Sequence, residues 1–191
     1  QTEILAWFSP DPRAILELDR LHVSRRLRRR LHSGQFQVTF DADFPGVIAA
    51  CAEARGPEEG TWITPHLAEA YVELHRLGVA HSVEVWQAGQ LAGGLYGLVL
   101  GGFFAGESMF HRVRDASKVA LVQMVRHLQS RGFVLFDVQQ ASPHLVRMGA
   151  TEIPRHEFLS RLKEALELPV TFADPDCQGV TKRPMPCSNR I

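Results

Sequence analysis

Two acidic residues that follow apolar runs are the best candidates for catalytic chemistry in this sequence. Glu107 comes directly after a stretch without any charged residue, LAGGLYGLVLGGFFAG at 91–106. Asp137 ends the apolar run FVLF, and Gln139 stands two residues later, on the same face of a strand. Because burying a lone carboxylate costs several kcal/mol, each acid must find a partner.

The spacing alone leaves two interpretations of these carboxylates open. At the ends of two strands they would converge on one cleft, where ligands of sheet proteins bind. Alternatively, each forms a structural ion pair with Arg112, Arg114 or Arg147. The neighbouring Gln139 favours the functional interpretation for Asp137.

Other reaction classes are disfavoured. Ser108 lacks the closing Gly of a nucleophile elbow. The nine His have neither i,i+4 nor HxH spacing, which argues against a metal site, and His81 and His144 are interpreted as hydrogen-bonded scaffold residues. An acyl-CoA enzyme would cradle its pyrophosphate on a Gly-rich turn, but ESMFHRVRDASK contains no Gly. We therefore predict no metal and no cofactor.

An Arg-rich helix is the candidate for binding an anionic partner. In LHVSRRLRRRLHSG, Val23, Leu27 and Leu31 recur every four residues and Gly34 ends the run. The opposite face has no acidic residue, which leaves either a solvated surface or a contact with nucleic-acid phosphates, and slightly favours the contact. Its arginines are Arg25, Arg26, Arg28, Arg29 and Arg30.

Strands and helices alternate around these residues in a way that predicts a mixed α/β fold (α+β), with helices packed on a largely antiparallel sheet. HSVEVWQAGQLAGGLYGLVLGGFFAG predicts a strand meander with turns at Ala88-Gly89 and Gly101-Gly102. DASKVALVQMVRHLQSRG predicts a helix, and FVLFDVQ predicts a buried strand. We expect one domain over residues 1–168 and an extended C-terminal tail over 169–191.

Composition gives no general attraction to nucleic acid or membrane. The formal net charge of the 191 residues is zero, and the apolar run at 91–106 is short for a membrane span and rich in Gly. Three widely spaced Cys without a CxxC pair argue against a disulfide framework. These features, with no basic-then-apolar leader, predict a reducing, cytoplasmic location.

The order of several segments resembles the leucyl/phenylalanyl-tRNA–protein transferase family over about residues 7–160. The segments are WFSPDPRAIL, LHVSRRLRR, EEGTWIT, AYVELHRLGVAHSVEVW, LAGGLYGLVLGG, FFAGESMF, DASKVAL and FDVQ…H…MGATEIPR. The resemblance implies a GNAT-like acyltransferase domain that uses aminoacyl-tRNA in place of acyl-CoA. It also implies transfer of Leu or Phe, and Met less well, to the N-terminal Arg or Lys of proteins that enter N-degron proteolysis in the bacterial cytoplasm.

The resemblance also implies roles for individual residues. Asp137 and Gln139 of the D-x-Q motif would activate or orient the attacking amine, and Glu107 belongs to the same site. Trp62 matches an aromatic residue near the bound adenosine, and Arg25, Arg28 and Arg29 match basic positions for tRNA. The expected pocket for the donor side chain is formed by Leu95, Leu121, Met124 and Leu128.

The family pattern also concerns the N-terminal part of the protein. The family's small N-terminal domain, which carries an FPWF-type motif, is largely missing from this chain. Two other functions stay open: a catalytically reduced homologue that binds tRNA or other RNA, and an acyl-CoA-dependent acyltransferase, against which the Gly-free turn argues.

Overall fold

The computed structural model describes residues 9–54 and 61–173 of the chain. The strands within these ranges are β1 (Arg13–Leu16), β2 (Gln37–Phe40), β3 (Ala80–Gln87), β4 (Gln90–Leu100), β5 (Phe103–His111), β6 (Leu135–Gln139) and β7 (Ala150–Ile153). The α-helices are α1 (Arg25–His32), α2 (Phe44–Glu53), α3 (Pro65–Arg76), α4 (Ala116–Ser130), α5 (Pro143–Arg147) and α6 (Arg155–Leu166).

The strands form one seven-stranded sheet in the order β2-β3-β4-β5-β6-β1-β7. All neighbouring pairs are antiparallel except β5 and β6, which run parallel. The predicted fold class, a mixed α/β domain with a mostly antiparallel sheet flanked by helices, is confirmed. Because α4 connects the two parallel strands, the carboxyl ends of β5 and β6 lie side by side at the same end of the sheet.

The uncharged run at 91–106 forms most of β4 and the start of β5, with the predicted turns at Ala88-Gly89 and Gly101-Gly102. Its glycines allow close approach between neighbouring backbones. A Cβ atom at Gly97 would lie 2.1 Å from the carbonyl oxygen of Ala105 on β5. The glycines of this run therefore allow the strands to pack closely. None of the described helices is long and apolar enough to cross a bilayer.

Both faces of the sheet are covered. On one face, α4 packs over the largest apolar cluster, which includes Leu95 and Phe136. The other face carries two smaller clusters, one built on α2 and α3 and one on α6. Strand β5 contributes Phe110 to the first of these and Phe103 to the second. Glu107 thus lies on β5 between two separately packed clusters.

Two short strands, β1 and β7, have no counterpart among the predicted elements. Each has four residues, too few for alternation to stand out from the sequence around it. β1 follows Pro10 and Pro12 and pairs with both β6 and β7. Its place beside β6 is what brings a residue from the start of the chain to the candidate site.

The first part of the predicted tail packs against the domain. Phe172 is 3 % exposed, and its ring stacks on that of His81 at a centroid distance of 4.1 Å. The Arg131 guanidinium donates to the carbonyl oxygen of Thr171 at 2.8 Å. Residues 174–191, which are the rest of the predicted tail, lie outside the described residues, as do residues 55–60.

The β2–β3 pair buries a carboxyl group among neutral donors. Glu84 is 0 % exposed. Its Oε1 accepts from the Ser82 hydroxyl, and its Oε2 accepts from the Thr39 hydroxyl and from the Ala42 N–H at 3.2 Å. Burial raises the pKa of Glu84, and these hydrogen bonds offset only part of the effect.

The raised pKa of Glu84 makes stability depend on pH. A carboxyl group with a raised pKa in the folded state stabilises most below its ordinary pKa, and this contribution is lost as the pH rises through the folded pKa. Since Glu84→Gln removes the titration, we expect the wild type to lose stability relative to E84Q as the pH rises from about 4.5 to neutrality. Urea unfolding of both proteins measures this difference, and a pH-independent difference would contradict the expectation.

Candidate active site

A β-bulge places Glu107 at the surface of the β4–β5 ladder. Tyr96 pairs with Ser108 and Gly97 with Gly106, so Glu107 is the extra residue on β5 without a partner on β4. A bulge changes the direction of a side chain and is frequent beside active sites. Glu107 continues the alternation of Phe103 and Ala105, which face away from α4, and its carboxyl group reaches the space between the two clusters on that face.

Neutral hydrogen-bond donors hold the Glu107 carboxyl group. Gln139 Nε2 donates to Oε2 at 3.2 Å, and the Tyr71 hydroxyl group on α3 also donates to the carboxylate. Burial raises the pKa of Glu107 above its ordinary value, although these two hydrogen bonds and the Arg13 charge oppose the shift. Burial also raises the pKa of Tyr71, and the Glu107 charge adds to that effect. Glu107 is a half-buried group that binds a proton more readily than an ordinary glutamate.

Asp137 lies in a different environment, a buried salt bridge. It is 1 % exposed. Arg13 of β1 donates from Nε to Oδ1 at 3.0 Å and from Nη2 to Oδ2 at 2.6 Å, and the N–H of Gln139 donates to Oδ1 at 2.8 Å. The two parallel donors of Arg13 match the geometry of a carboxylate. Because both oxygens already accept hydrogen bonds, Asp137 is suited to hold its neighbours in place.

Gln139 links the two acids through backbone and side chain. It has φ +66°, a left-handed conformation that is costly for a residue with a side chain. A register shift on the β1–β6 pair, from Ile15↔Asp137 to Ala14↔Gln139, leaves Val138 as the extra residue. The predicted strand alternation from Asp137 to Gln139 is therefore interrupted. The amide still reaches Glu107, and Nε2 also donates to the Gly106 carbonyl at 3.2 Å.

The arginine partners named from spacing are wrong for Asp137. Its partner is Arg13, 124 residues away in the chain. Arg112, one of the proposed partners, donates to Glu53 at 3.0 Å instead. Tyr71 was also not predicted from the sequence, because its position on α3 is that of an ordinary apolar residue in an amphipathic helix. The SPDPR segment that contains Arg13 belonged to the family resemblance, but no local pattern marked that residue.

The predicted donor pocket lies on the other face of the sheet. Its four side chains are at most 2 % exposed and belong to the large cluster under α4, whereas Glu107 faces α3. The structure thus brings the three polar site residues together but packs the apolar ones into the core. Trp62 is 38 % exposed, just before α3. The four pocket residues are Leu95, Leu121, Met124 and Leu128.

The structure separates the arginines of α1 into two groups. Arg25, Arg28 and Arg29 line an open cleft of about 660 Å³ together with His32. The other two are engaged within the chain. Arg26 lies 3.7 Å from Asp115 Oδ2, and Arg30 donates to the Gln35 side chain. The three cleft arginines are the ones that matched the family's basic positions.

One histidine cluster has ligand types that could hold a metal ion. Asp41, His75 and His81 have ligand atoms within 4.8 Å of one another. His81 Nδ1 lies 2.8 Å from Asp41 Oδ2 and its Nε2 lies 3.0 Å from the Gly78 carbonyl oxygen, while His75 Nδ1 lies 2.8 Å from that of Ala80. Because oxygen atoms already engage these nitrogens, the cluster is better explained as a hydrogen-bonded scaffold.

Known proteins resemble this chain over most of its length. The sequence profile of the family described as leucyl/phenylalanyl-tRNA protein transferase matches residues 15–163. The leucyl/phenylalanyl-tRNA–protein transferase of Pseudomonas putida is 54 % identical over 86 % of this chain and 73 % of its own. That of Rubrobacter xylanophilus is 56 % identical over 87 % of this chain and 85 % of its own. The solved structure of L-PGS from Bacillus licheniformis shares the fold, with a TM-score of 0.51 and 13 % identity over 69 % of this chain and 46 % of its own.

The buried salt bridge predicts a large effect of removing its cation. Replacing Arg13 by Met leaves the Asp137 carboxylate buried without its counter-charge, which costs about 3 kcal/mol or more of unfolding free energy. Denaturant unfolding measures this loss. The matched control is Arg76→Ala, because Arg76 forms an exposed pair with Glu73 at 3.2 Å and its removal should change stability little. Equal, small effects of the two substitutions would show that the Arg13 pair is not a structural support.

Proposed function

Because this chain belongs to the leucyl/phenylalanyl-tRNA–protein transferase family, we propose that it transfers Leu or Phe, and Met less well, from charged tRNA to the N-terminal Arg or Lys of acceptor proteins. The chain is an aminoacyltransferase, and its family uses aminoacyl-tRNA as the donor. We further propose that it works in the bacterial cytoplasm and that the added residue marks the acceptor for N-degron proteolysis.

The observation that carries this proposal is the hydrogen-bonded pair of Glu107, in the middle of β5, and Gln139, the last residue of β6. An aminoacyl ester is already activated, so the reaction needs neither a metal nor an acyl-CoA. It does need a group that takes a proton from the acceptor's α-amine and a second group that orients the amine. A half-buried carboxyl group next to an amide supplies both.

Glu107 is the better proton acceptor of the two acids. An α-amino group has an ordinary pKa of about 7.7–8.0, so most of the acceptor is protonated at neutral pH. Burial raises the pKa of Glu107 toward that of the amine, which makes the proton transfer less uphill. Asp137, with both oxygens engaged by Arg13 and Gln139, would have to break a salt bridge to accept the same proton.

The proposed reaction is an acyl transfer that forms a peptide bond. The amine nitrogen attacks the ester carbonyl carbon, a C–N bond forms and the C–O bond to the 3′ ribose oxygen breaks. Glu107 takes the first proton, from the ammonium group, and returns it to the leaving ribose oxygen. The second proton, which the nitrogen loses when the amide forms, goes to solvent. Gln139 accepts a hydrogen bond from the amine through its side-chain carbonyl while its Nε2 holds Glu107. Asp137 and Arg13 act as positioning residues that fix the Gln139 backbone.

Helix α1 supplies the proposed contact with the tRNA. Its three cleft arginines are exposed and lie on one side of the helix, which suits binding to backbone phosphates without sequence readout. Trp62, exposed ahead of α3, is the proposed stacking residue for the terminal adenosine. The apolar residues under α4 are the proposed wall of the donor pocket, which requires that this part of the core open toward the site.

Transfer of labelled Leu, Phe or Met from charged tRNA to a peptide that begins with Arg or Lys tests the function. We expect transfer to these peptides but not to one that begins with Ala. For Glu107→Gln we expect kcat/KM to fall by roughly 100-fold, because the proton acceptor is lost. The wild-type rate should rise with pH through the raised pKa of Glu107, and the ratio of wild-type to E107Q rates should rise with it.

Glu164→Gln, which neutralises an exposed glutamate of α6, is the matched control and should keep the wild-type rate. A folded protein that binds charged tRNA but transfers nothing would support the catalytically reduced homologue. Measurable use of acetyl-CoA would support the acyl-CoA alternative. A pH-independent ratio of wild-type to E107Q rates would remove Glu107 from the proton-transfer step.

The arginines of α1 give a separate prediction on tRNA binding. Replacing Arg28 or Arg29 by Ala should weaken binding at low salt and flatten the dependence of log K on log salt by about 0.7–0.9 for each phosphate that is no longer bound. Binding titrations at several salt concentrations measure both effects. Arg30→Ala is the matched control on the same helix, since Arg30 bonds to Gln35. If the slope of log K against log salt is the same for all these proteins, the arginines of α1 form a solvated surface and do not bind tRNA.

A further inference from the structure

A second group of basic side chains lies at and beyond the carboxyl ends of β5 and β6, farther along β5 than Glu107. His111 is the last residue of β5, and Lys118 is in the first turn of α4, which follows it. His144 and Arg147 are on α5, which follows β6. Because β5 and β6 are parallel neighbours, these segments leave the sheet at the same end. The group is distinct from the cleft arginines of α1.

These side chains are close enough to act on one another. Burial lowers the pKa of His144, and the charges of Lys118, Arg147 and His111 lower it further. Within the described part of the chain, the buried Nε2 atom of His144 has no hydrogen-bond partner. The like charges repel one another in the free protein, and the buried Nε2 atom of His144 lacks a hydrogen bond there. A bound anion would reduce the repulsion and offer oxygen atoms to these groups.

The internal acid near this group compensates only part of its charge. Asp115 Oδ1 accepts from Lys118 Nζ at 2.9 Å, and its Oδ2 lies 3.7 Å from Arg26 of α1. Burial alone would raise the pKa of Asp115, but Lys118, Arg26 and Arg114 together hold it below its ordinary value. One carboxylate thus faces three cations, and through Arg26 the group reaches α1.

We propose that Lys118 and Arg147, with His144 beside them, bind backbone phosphates in the single-stranded 3′ end of the donor RNA. This inference rests on the proposed function and adds a subsite to it. The RNA would run from the duplex held on α1 past this basic group, and its ester would end at Glu107 and Gln139. In this proposal cationic side chains bind the phosphates. Backbone N–H groups do not, because the segment 107–118 contains no Gly to form a phosphate-binding turn.

Two donors that differ in their phosphates test this subsite. One is charged tRNA, and the other is 3′-O-phenylalanyl adenosine, which carries the reactive ester but no phosphate. Lys118→Ala and Arg147→Ala should each raise KM for charged tRNA by roughly tenfold, as expected when a charged hydrogen bond is removed, with kcat nearly unchanged. Neither substitution should change the kinetics with the adenosine donor. Lys163→Ala, an exposed Lys on α6, is the matched control and should change neither.

The outcomes separate the subsite from the function itself. If the wild type uses both donors and the two substitutions leave KM for charged tRNA unchanged, the phosphate subsite is wrong and the proposed function stands. Equal losses with both donors would assign Lys118 and Arg147 to the reacting centre or to folding, which also overturns the subsite. If the wild type binds acetyl-CoA and Lys118→Ala abolishes that binding, the basic group binds the phosphates of a free nucleotide cofactor, and the RNA subsite is wrong. If the wild type uses neither donor, the proposed function fails first.

Discussion

A buried carboxyl group must either be held neutral or be paired with a cation, and Asp137, which is 1 % exposed, is paired with a cation. The counter-charge comes from β1, whose place between β6 and β7 brings Arg13 against both carboxylate oxygens. Once Asp137 is fixed, its Oδ1 also holds the N–H of Gln139 and supports the left-handed backbone there. That backbone directs the amide to Glu107. The geometry of the proposed reacting groups therefore depends on the Arg13–Asp137 salt bridge.

The two acids differ because their hydrogen-bond partners differ. Asp137 has a guanidinium that donates to both of its oxygens, and this arrangement favours a stationary charge. Glu107 has an amide and a phenol, both neutral, and burial raises its pKa. Two carboxyl groups in contrasting environments can divide the work of positioning and proton transfer. Glu107 is the extra residue of the bulge on β5, and its carboxyl group accepts from Tyr71 of α3.

Local patterns predicted the parts of the fold that depend on neighbours in sequence. The meander β3–β5 follows from alternation and two Gly-containing turns, and α4 follows from its apolar period and the Gly132 stop. Arg13 could not be found this way, because its partner is 124 residues distant and β1 is only four residues long. The bulge at Glu107 was equally hidden, since register is decided by pairing with β4 and leaves no mark in GESMF. The three polar site residues were named correctly as neighbours, but the interactions that hold them were not.

Repulsion among the arginines of helix α1 favours the binding of an anionic partner. Arg25 is its first residue, where the helix dipole disfavours a cation, and Arg25 and Arg29 stand four apart on the same face, where like charges repel. The helix is stabilised elsewhere, by the Ser24 cap on the Leu27 N–H at 3.3 Å and by burial of Leu27 and Leu31. The charge of Arg25 does not favour the helix at this position, so helix stability does not account for that charge. A polyanion removes the repulsion when it binds, and the basic group beyond β5 and β6 has the same property. Both surfaces therefore fit the proposed binding of a polyanion better than a role in the stability of the free chain.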